Sequence, residues 1–215
     1  MTSTSIVLIR HGETAWNAER RLQGHIDIAL NAEGERQAQA LAEALAGEHF
    51  DLIVASDLQR AHQTGGFVAR GRALAVLQDA GLRERCFGGF EGLLYAEIEL
   101  RFPREFAAWQ RREVDAVMPA GAREAESFRQ FYQRALGAIL GWAGQHPGKS
   151  LALVAHGGVL ECAYRAALGM LLESPRDFSV MNASINRFTV SDGRLTLTSW
   201  GEVGHLQARA LDELA

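Results

Sequence analysis

Short apolar runs alternate along the chain with longer stretches in which apolar residues recur every three or four positions. Ile6 to Ile9 is hydrophobic without interruption, as in a strand buried on both faces of a parallel sheet, and it stops abruptly at Arg10-His11-Gly12. From Glu33 to Leu45, residues Ala38, Leu41, Ala42 and Leu45 mark one helical face, and Gly47 is expected to supply a left-handed cap. Leu52 to Ala55 is a second short strand. Ser56 and Gln59 read as a capping box that opens the next helix. Strand followed directly by helix is the language of an α/β fold.

Ala73 to Leu77 suggests a third strand, followed by a loop in which Gly88, Gly89 and Gly92 stand among Phe87, Phe90 and Glu91. Tyr95 to Trp109 is helical but interrupted by Pro103, and residues 93–125 read as a lid-like insertion. Ser127 to Trp142 places Phe128, Phe131, Ala135, Ile139 and Trp142 on one face of a long helix. Leu151 to Ala155 is another buried strand, followed by a helix from Gly157 to about Gly169. Ile185 to Val190 and Leu195 to Trp200 meet across Asp192-Gly193, a dipeptide suited to a tight hairpin. The pattern predicts a three-layer α/β/α sandwich, with a mostly parallel central sheet and an antiparallel edge strand. Without repeats or Ser/Pro-rich linkers, residues 1–215 are expected to form one domain.

Composition narrows the function classes. The 215 residues, 47% hydrophobic and 22% charged, are those of a globular chain, and no apolar run approaches the length of a membrane helix. Met1 to Ser5 lacks the basic residues that open a secretory signal, so a cytoplasmic location is expected. A net charge of -4 argues against binding nucleic acid or an anionic membrane through the whole surface. Cys86 and Cys162 stand apart, without metal-ligand spacing, and both are expected to be reduced structural thiols.

Cationic or imidazole residues follow three of the apolar strands at once: Arg10 and His11, then Arg60 in a first helical turn, then His156 before Gly157 and Gly158. In an open parallel sheet the carboxyl ends of the strands lie on one edge, where helix N-termini offer N–H groups to anions. Two arginines and two histidines on that edge describe an anion site. The spacing holds no HxH or HxxxH pair, and neighbouring arginines oppose a cation, so no metal site is expected.

RHGETAWN at 10–17, ASDLQRAHQT at 55–64, LRERCFGGFEG at 82–92 and VAHGG at 154–158 together resemble the histidine phosphatase superfamily, also called phosphoglycerate-mutase-like. Leu22-Gln23-Gly24, Leu30, Gly34 and Gln37-Ala38 extend the likeness to essentially the whole chain. The resemblance implies that His11 is a nucleophile forming a phosphohistidine, with its other ring nitrogen held by a backbone carbonyl around Gly12. Arg10, Arg60 and His156 match positions that hold the phosphoryl group, with Asn17 and the N–H of Gly157 as further contacts. Gln23 and Gly24 match the substrate mouth.

Glu84 matches the general acid, whose carboxyl would need burial or a nearby phosphate to keep its proton near neutral pH. Glu91, Glu13 and Glu97 are the alternatives. The segment around Gly89-Phe90-Glu91-Gly92 resembles the broad-specificity phosphatase branch, so a phosphatase of small phosphate monoesters is expected, without a cofactor. The alternatives are a bisphosphoglycerate-dependent phosphoglycerate mutase and a catalytically silent binding module. The insertion from Leu93 to Ala125 and the segment Val180 to Asn186 are expected to set leaving-group preference, with Phe102, Phe106 and Trp109 able to supply apolar walls. His205 is compatible with a site or a packing role, and His25, His49, His62 and His146 read as solvated or loop residues. Dimers occur in the family, which leaves a homodimer open.

Overall fold

The computed structural model describes residues 2–206 and residue 212. Its six strands are β1 (Thr4–Arg10), β2 (Leu52–Ala55), β3 (Val76–Gln78), β4 (Ser150–Ala155), β5 (Ile185–Ser191) and β6 (Arg194–Glu202). They lie in the order β3-β2-β4-β1-β5-β6. The first four are mutually parallel, β5 runs antiparallel to β1, and β6 antiparallel to β5. Asp192 and Gly193 both take positive φ at the turn between the last two, as a tight hairpin of this hand requires.

The pleat of β1 explains the layers. Ile6 and Leu8 face one side, where they join Leu151, Leu153 and Phe188 under helices α6 (Phe128–Gln145) and α7 (Gly157–Leu168). Val7 and Ile9 face the other, joining Ile53, Ala152 and Val154 under α2 (Ala32–Ala44) and α3 (Gln59–Ala69). The sheet is covered on both faces, so its central strands carry no polar face, in keeping with their unbroken apolar sequences. The one-turn helix α1 (Ala15–Ala18) follows β1, while α4 (Tyr95–Arg101) and α5 (Pro103–Gln110) belong to the segment between β3 and α6. Pro103 stands at the first position of α5, where its missing N–H costs nothing. Around them Leu22, Phe90, Ile98 and Met118 build a smaller apolar cluster of their own.

Several local expectations are corrected. Gly47 does not adopt a left-handed conformation, and α2 ends instead on Leu45 in the ordinary helical region. Gly169 does close α7 in the left-handed form. Ser56 and Gln59 form no capping box: α3 starts after Leu58 with no capping side chain, and the Gln59 amide donates to Asp27 instead. The third strand is shorter and later than expected, because only Val76 to Gln78 reach β2.

Candidate active site

Parallel pairing of β1 with β4 sets Arg10 opposite Ala155, so the residues that follow each strand, His11 and His156, emerge side by side. Their rings lie 5.1 Å apart, centroid to centroid, and tilted. Arg10, His11, Arg60 and His156 are all buried. Arg10 donates to the carbonyl of Val180, while Arg60 donates to the carbonyls of Gly24 (2.8 Å) and Ile26 (3.0 Å).

His11 Nδ1 lies 2.7 Å from the carbonyl oxygen of its neighbour Gly12. A carbonyl only accepts, so Nδ1 carries the proton and Nε2 keeps a lone pair. Burial, then the charges of Arg60 and Arg10, hold the His11 imidazole well below its ordinary 6.5. His156 is lowered likewise, by burial first and Arg60 second, and its ring nitrogens, both buried, have no hydrogen-bond partner among the described residues. The cluster thus combines two permanent positive charges with two neutral imidazoles. It can receive an anion and attack it.

Side chains beyond the strand ends tie the remaining expected residues to this cluster. Thr14 and Asn17 cap α1 reciprocally, with Asn17 Oδ1 accepting the Thr14 N–H at 3.1 Å. The Thr14 hydroxyl also lies 3.0 Å from Gln23 Oε1. Asn182, buried, donates to the His11 carbonyl at 3.0 Å and stands 3.5 Å from Asn17 Oδ1. Gly157 begins α7 without a capping side chain, leaving that helix N-terminus on the same edge as His11.

Glu84 is buried against the first turn of α7. Its carboxylate accepts the Arg85 N–H at 2.8 Å and the Gly158 N–H at 3.0 Å. A Cβ on Gly158 would lie 2.2 Å from Glu84 Oε1, so the group that needs the second glycine is this carboxyl. The alternative acids are engaged elsewhere: Glu13 accepts from Asn31, Glu97 caps Leu94, and Glu91 accepts the N–H groups of His25 and Phe87.

A cavity of about 790 Å³ opens over Glu84 and Gly158, walled by Phe87, Tyr95, Trp109, Phe128, Arg85 and Arg112 among others. Neither His11 nor His156 forms part of its wall. Of the aromatic residues expected there, Trp109 is present, stacked on Tyr95. Phe102 and Phe106 are not, because they pack with Trp109 into the cluster around Phe90 and Ile98. The segment Val180 to Asn186 meets Arg10 and His11 directly, with the Val180 carbonyl accepting from Arg10 and the Asn182 amide donating to the His11 carbonyl.

Two residues escaped sequence reasoning. Asn182 lies inside the segment Val180 to Asn186, where Ser184 and Asn186 are polar as well and nothing singles it out from them. His25, expected as a solvated or loop residue, lies in a turn but is half-buried, with Nε2 2.7 Å from the Glu84 carbonyl oxygen. His205 rests against the Ala183 carbonyl at 3.1 Å, and His146 stacks on Trp142. No group of three or more potential metal ligands occurs among the described residues, and no helix among them is long and apolar enough to cross a membrane.

The family model of the histidine phosphatase superfamily, branch 1, matches residues 6–203. The phosphoglycerate mutase-like protein 4 of Arabidopsis thaliana is 38% identical over 205 residues, 94% of this chain and 86% of that one. A metal-independent phosphoserine phosphatase of the same plant is 35% identical over 207 residues, covering 95% and 84% respectively. Among solved structures, the phosphoserine phosphatase of Entamoeba histolytica, a mutant crystallised with phosphoserine, superposes with a TM-score of 0.83 at 28% identity. That match covers 95% of this chain and all of the other.

Proposed function

The chain belongs to the histidine phosphatase superfamily, branch 1, and from that premise we propose that it hydrolyses small phosphate monoesters through a phosphohistidine on His11. The observation that carries this reading is the buried His11 itself, neutral, tied through Nδ1 to the Gly12 carbonyl and flanked by Arg10, Arg60 and His156. In the first step Nε2 attacks phosphorus, the Nε2–P bond forms and the P–O ester bond breaks. The departing alkoxide takes the proton of the Glu84 carboxyl. The phosphate dianion entering beside that carboxyl opposes its ionisation and so keeps the proton in place until it is needed.

In the second step water attacks phosphorus, the Nε2–P bond breaks, and Glu84 takes up the proton the water gives away. Alcohol and inorganic phosphate are the products, and neither metal nor cofactor enters the balance. Arg10 and Arg60 bind the equatorial oxygens with forked, permanently charged donors, and His156, Asn17 and the Gly157 N–H complete the set. Gln23 and Gly24 line the mouth. The alcohol portion occupies the cavity above Glu84, and the whole chain acts as one domain whose segment 93–125 covers that cavity.

Phosphate release from a panel of monoesters, measured with chelator present and with 2-phosphoglycerate formation followed from 3-phosphoglycerate, tests the reading. Hydrolysis of several esters without isomerisation is the expected result. Isomerisation that requires added bisphosphoglycerate would replace it with the mutase activity suggested by the name of the 38% identical relative. The His11→Ala variant is expected to lose turnover by several orders of magnitude while still binding phosphate. Ligand binding with no turnover in the unaltered protein would leave only a binding module.

A further inference from the structure

Glu84 is held by its main chain as well as by its carboxylate. Its carbonyl oxygen accepts two hydrogen bonds, from Arg134 Nη2 at 3.0 Å and from His25 Nε2 at 2.7 Å. Arg134 comes from α6, where Glu126 grips its guanidinium through both carboxylate oxygens, and its Nη1 also donates to the carbonyls of Gly81 and Arg83. That side of the acid loop is therefore fixed to the body of the fold.

His25 comes from the opposite side. It lies between Gly24 and Ile26, whose carbonyls both accept from the Arg60 guanidinium. Its own N–H donates to Glu91 Oε1 at 2.9 Å, and the same oxygen accepts the Phe87 N–H at 3.0 Å. Gly24 has φ +53, a conformation that favours glycine, and a Cβ there would fall 2.1 Å from Glu91 Oε1, so position 24 sits close against the Glu91 side chain of the acid loop. One short segment thus grips the arginine assigned to phosphate with its carbonyls, and the residue assigned to proton transfer with its imidazole.

We propose that His25 is a positioning residue, which sets the distance of the Glu84 carboxyl from the phosphoryl group bound at Arg60. This rests on the reading of Glu84 as general acid. A carbonyl acceptor requires the Nε2–H tautomer, and burial pushes the His25 imidazole below its ordinary range, so near neutral pH the ring serves as a neutral donor. Proton transfer depends on such placement, since a misplacement of about 1 Å can cost about a hundredfold in rate.

The test compares two substrates. Phosphoserine leaves as an alkoxide and needs a proton, whereas p-nitrophenyl phosphate leaves as a nitrophenolate with little need of one. kcat/KM, which reports the step that expels the alcohol, is measured for both with Glu84→Gln, His25→Leu, His25→Asn and His25→Gln. Glu84→Gln is expected to lower the alkyl-to-aryl ratio strongly. His25→Leu should lower it by about thirtyfold, a part of the 10² to 10⁴ that general acid catalysis contributes.

His25→Gln, whose amide reaches the place of Nε2, should restore most of the ratio, and the shorter His25→Asn should not. If His25→Leu does not fold, the Gln and Asn variants still decide. An equal loss on both substrates, or Gln and Asn behaving alike, overturns the role of His25. A Glu84→Gln enzyme with an unchanged ratio overturns instead the reading of Glu84 on which it stands.

Discussion

A methyl group added at Gly158 would meet Glu84 Oε1 at 2.2 Å and the Phe131 ring at 2.8 Å, while the Gly158 N–H is the donor that holds the other carboxylate oxygen. Gly158→Ala is therefore expected to push the carboxyl aside, lowering kcat/KM for an alkyl phosphate by about a hundredfold. Steady-state kinetics on the purified variant check this, and an unchanged rate would mean that the carboxyl can sit elsewhere. At this scale the sequence was legible where chemistry and motif coincide. His11, Arg10, Arg60 and His156 each stand at the end of an apolar strand or in the first turn beyond one, and the fold brings them to one edge. His25 and Asn182 were illegible because their meaning lies in main-chain carbonyls distant along the chain, those of Glu84 and His11. No local pattern marks which carbonyl a side chain will find.

The loop that carries His11 and the N-terminus of α2 interlock as two pieces of backbone. A Cβ on Gly34 would lie 2.0 Å from the Glu13 carbonyl oxygen, and one on Gly12 would lie 2.5 Å from that of Gly34. Neither obstacle is a flexible side chain. Alanine at Gly34 should gain about 1 kcal/mol in helix propensity. The clash is expected to outweigh that gain, for a net loss of about 1 to 3 kcal/mol. Urea denaturation measures the balance, and a stabilised variant would show that the loop can retreat. Asn31 holds the same junction, since its side chain accepts the Gly34 N–H at 2.8 Å, and Asn31→Ala should cost about 1 kcal/mol. Periodicity alone revealed the main strands and helices, because burial on one or both faces imposes their spacing. It failed where a tertiary partner competes with a local one, as when Gln59 turns to Asp27 instead of Ser56. It also failed for Phe102 and Phe106, since an apolar face signals burial without saying whether it faces a core or a cavity.

For the molecule as a whole, two neutral histidines sealed at the sheet edge tie stability to pH. Both titrate well below 6.5 when folded and near it when unfolded. Below that value the unfolded chain binds protons that the folded chain refuses. Stability is thus complete above about pH 6.5 and declines beneath it, by about 1.4 kcal/mol per pH unit for each ring. Urea midpoints compared at pH 7.5 and 5.5 should fall, less steeply in His156→Gln, whereas a flat profile would place both protons on the folded protein. The sheet order carries a consequence for the birth of the protein. Ser5 pairs with Ser150, and Ile9 with Ile185, so the strand that delivers His11 is made long before either of its neighbours. A chain still emerging from the ribosome holds that strand exposed, with both its edges open, until β4 and then β5 have followed it. The cluster around His11 can assemble only after both partners are made, and the interval before that is when the young chain most needs shelter from aggregation.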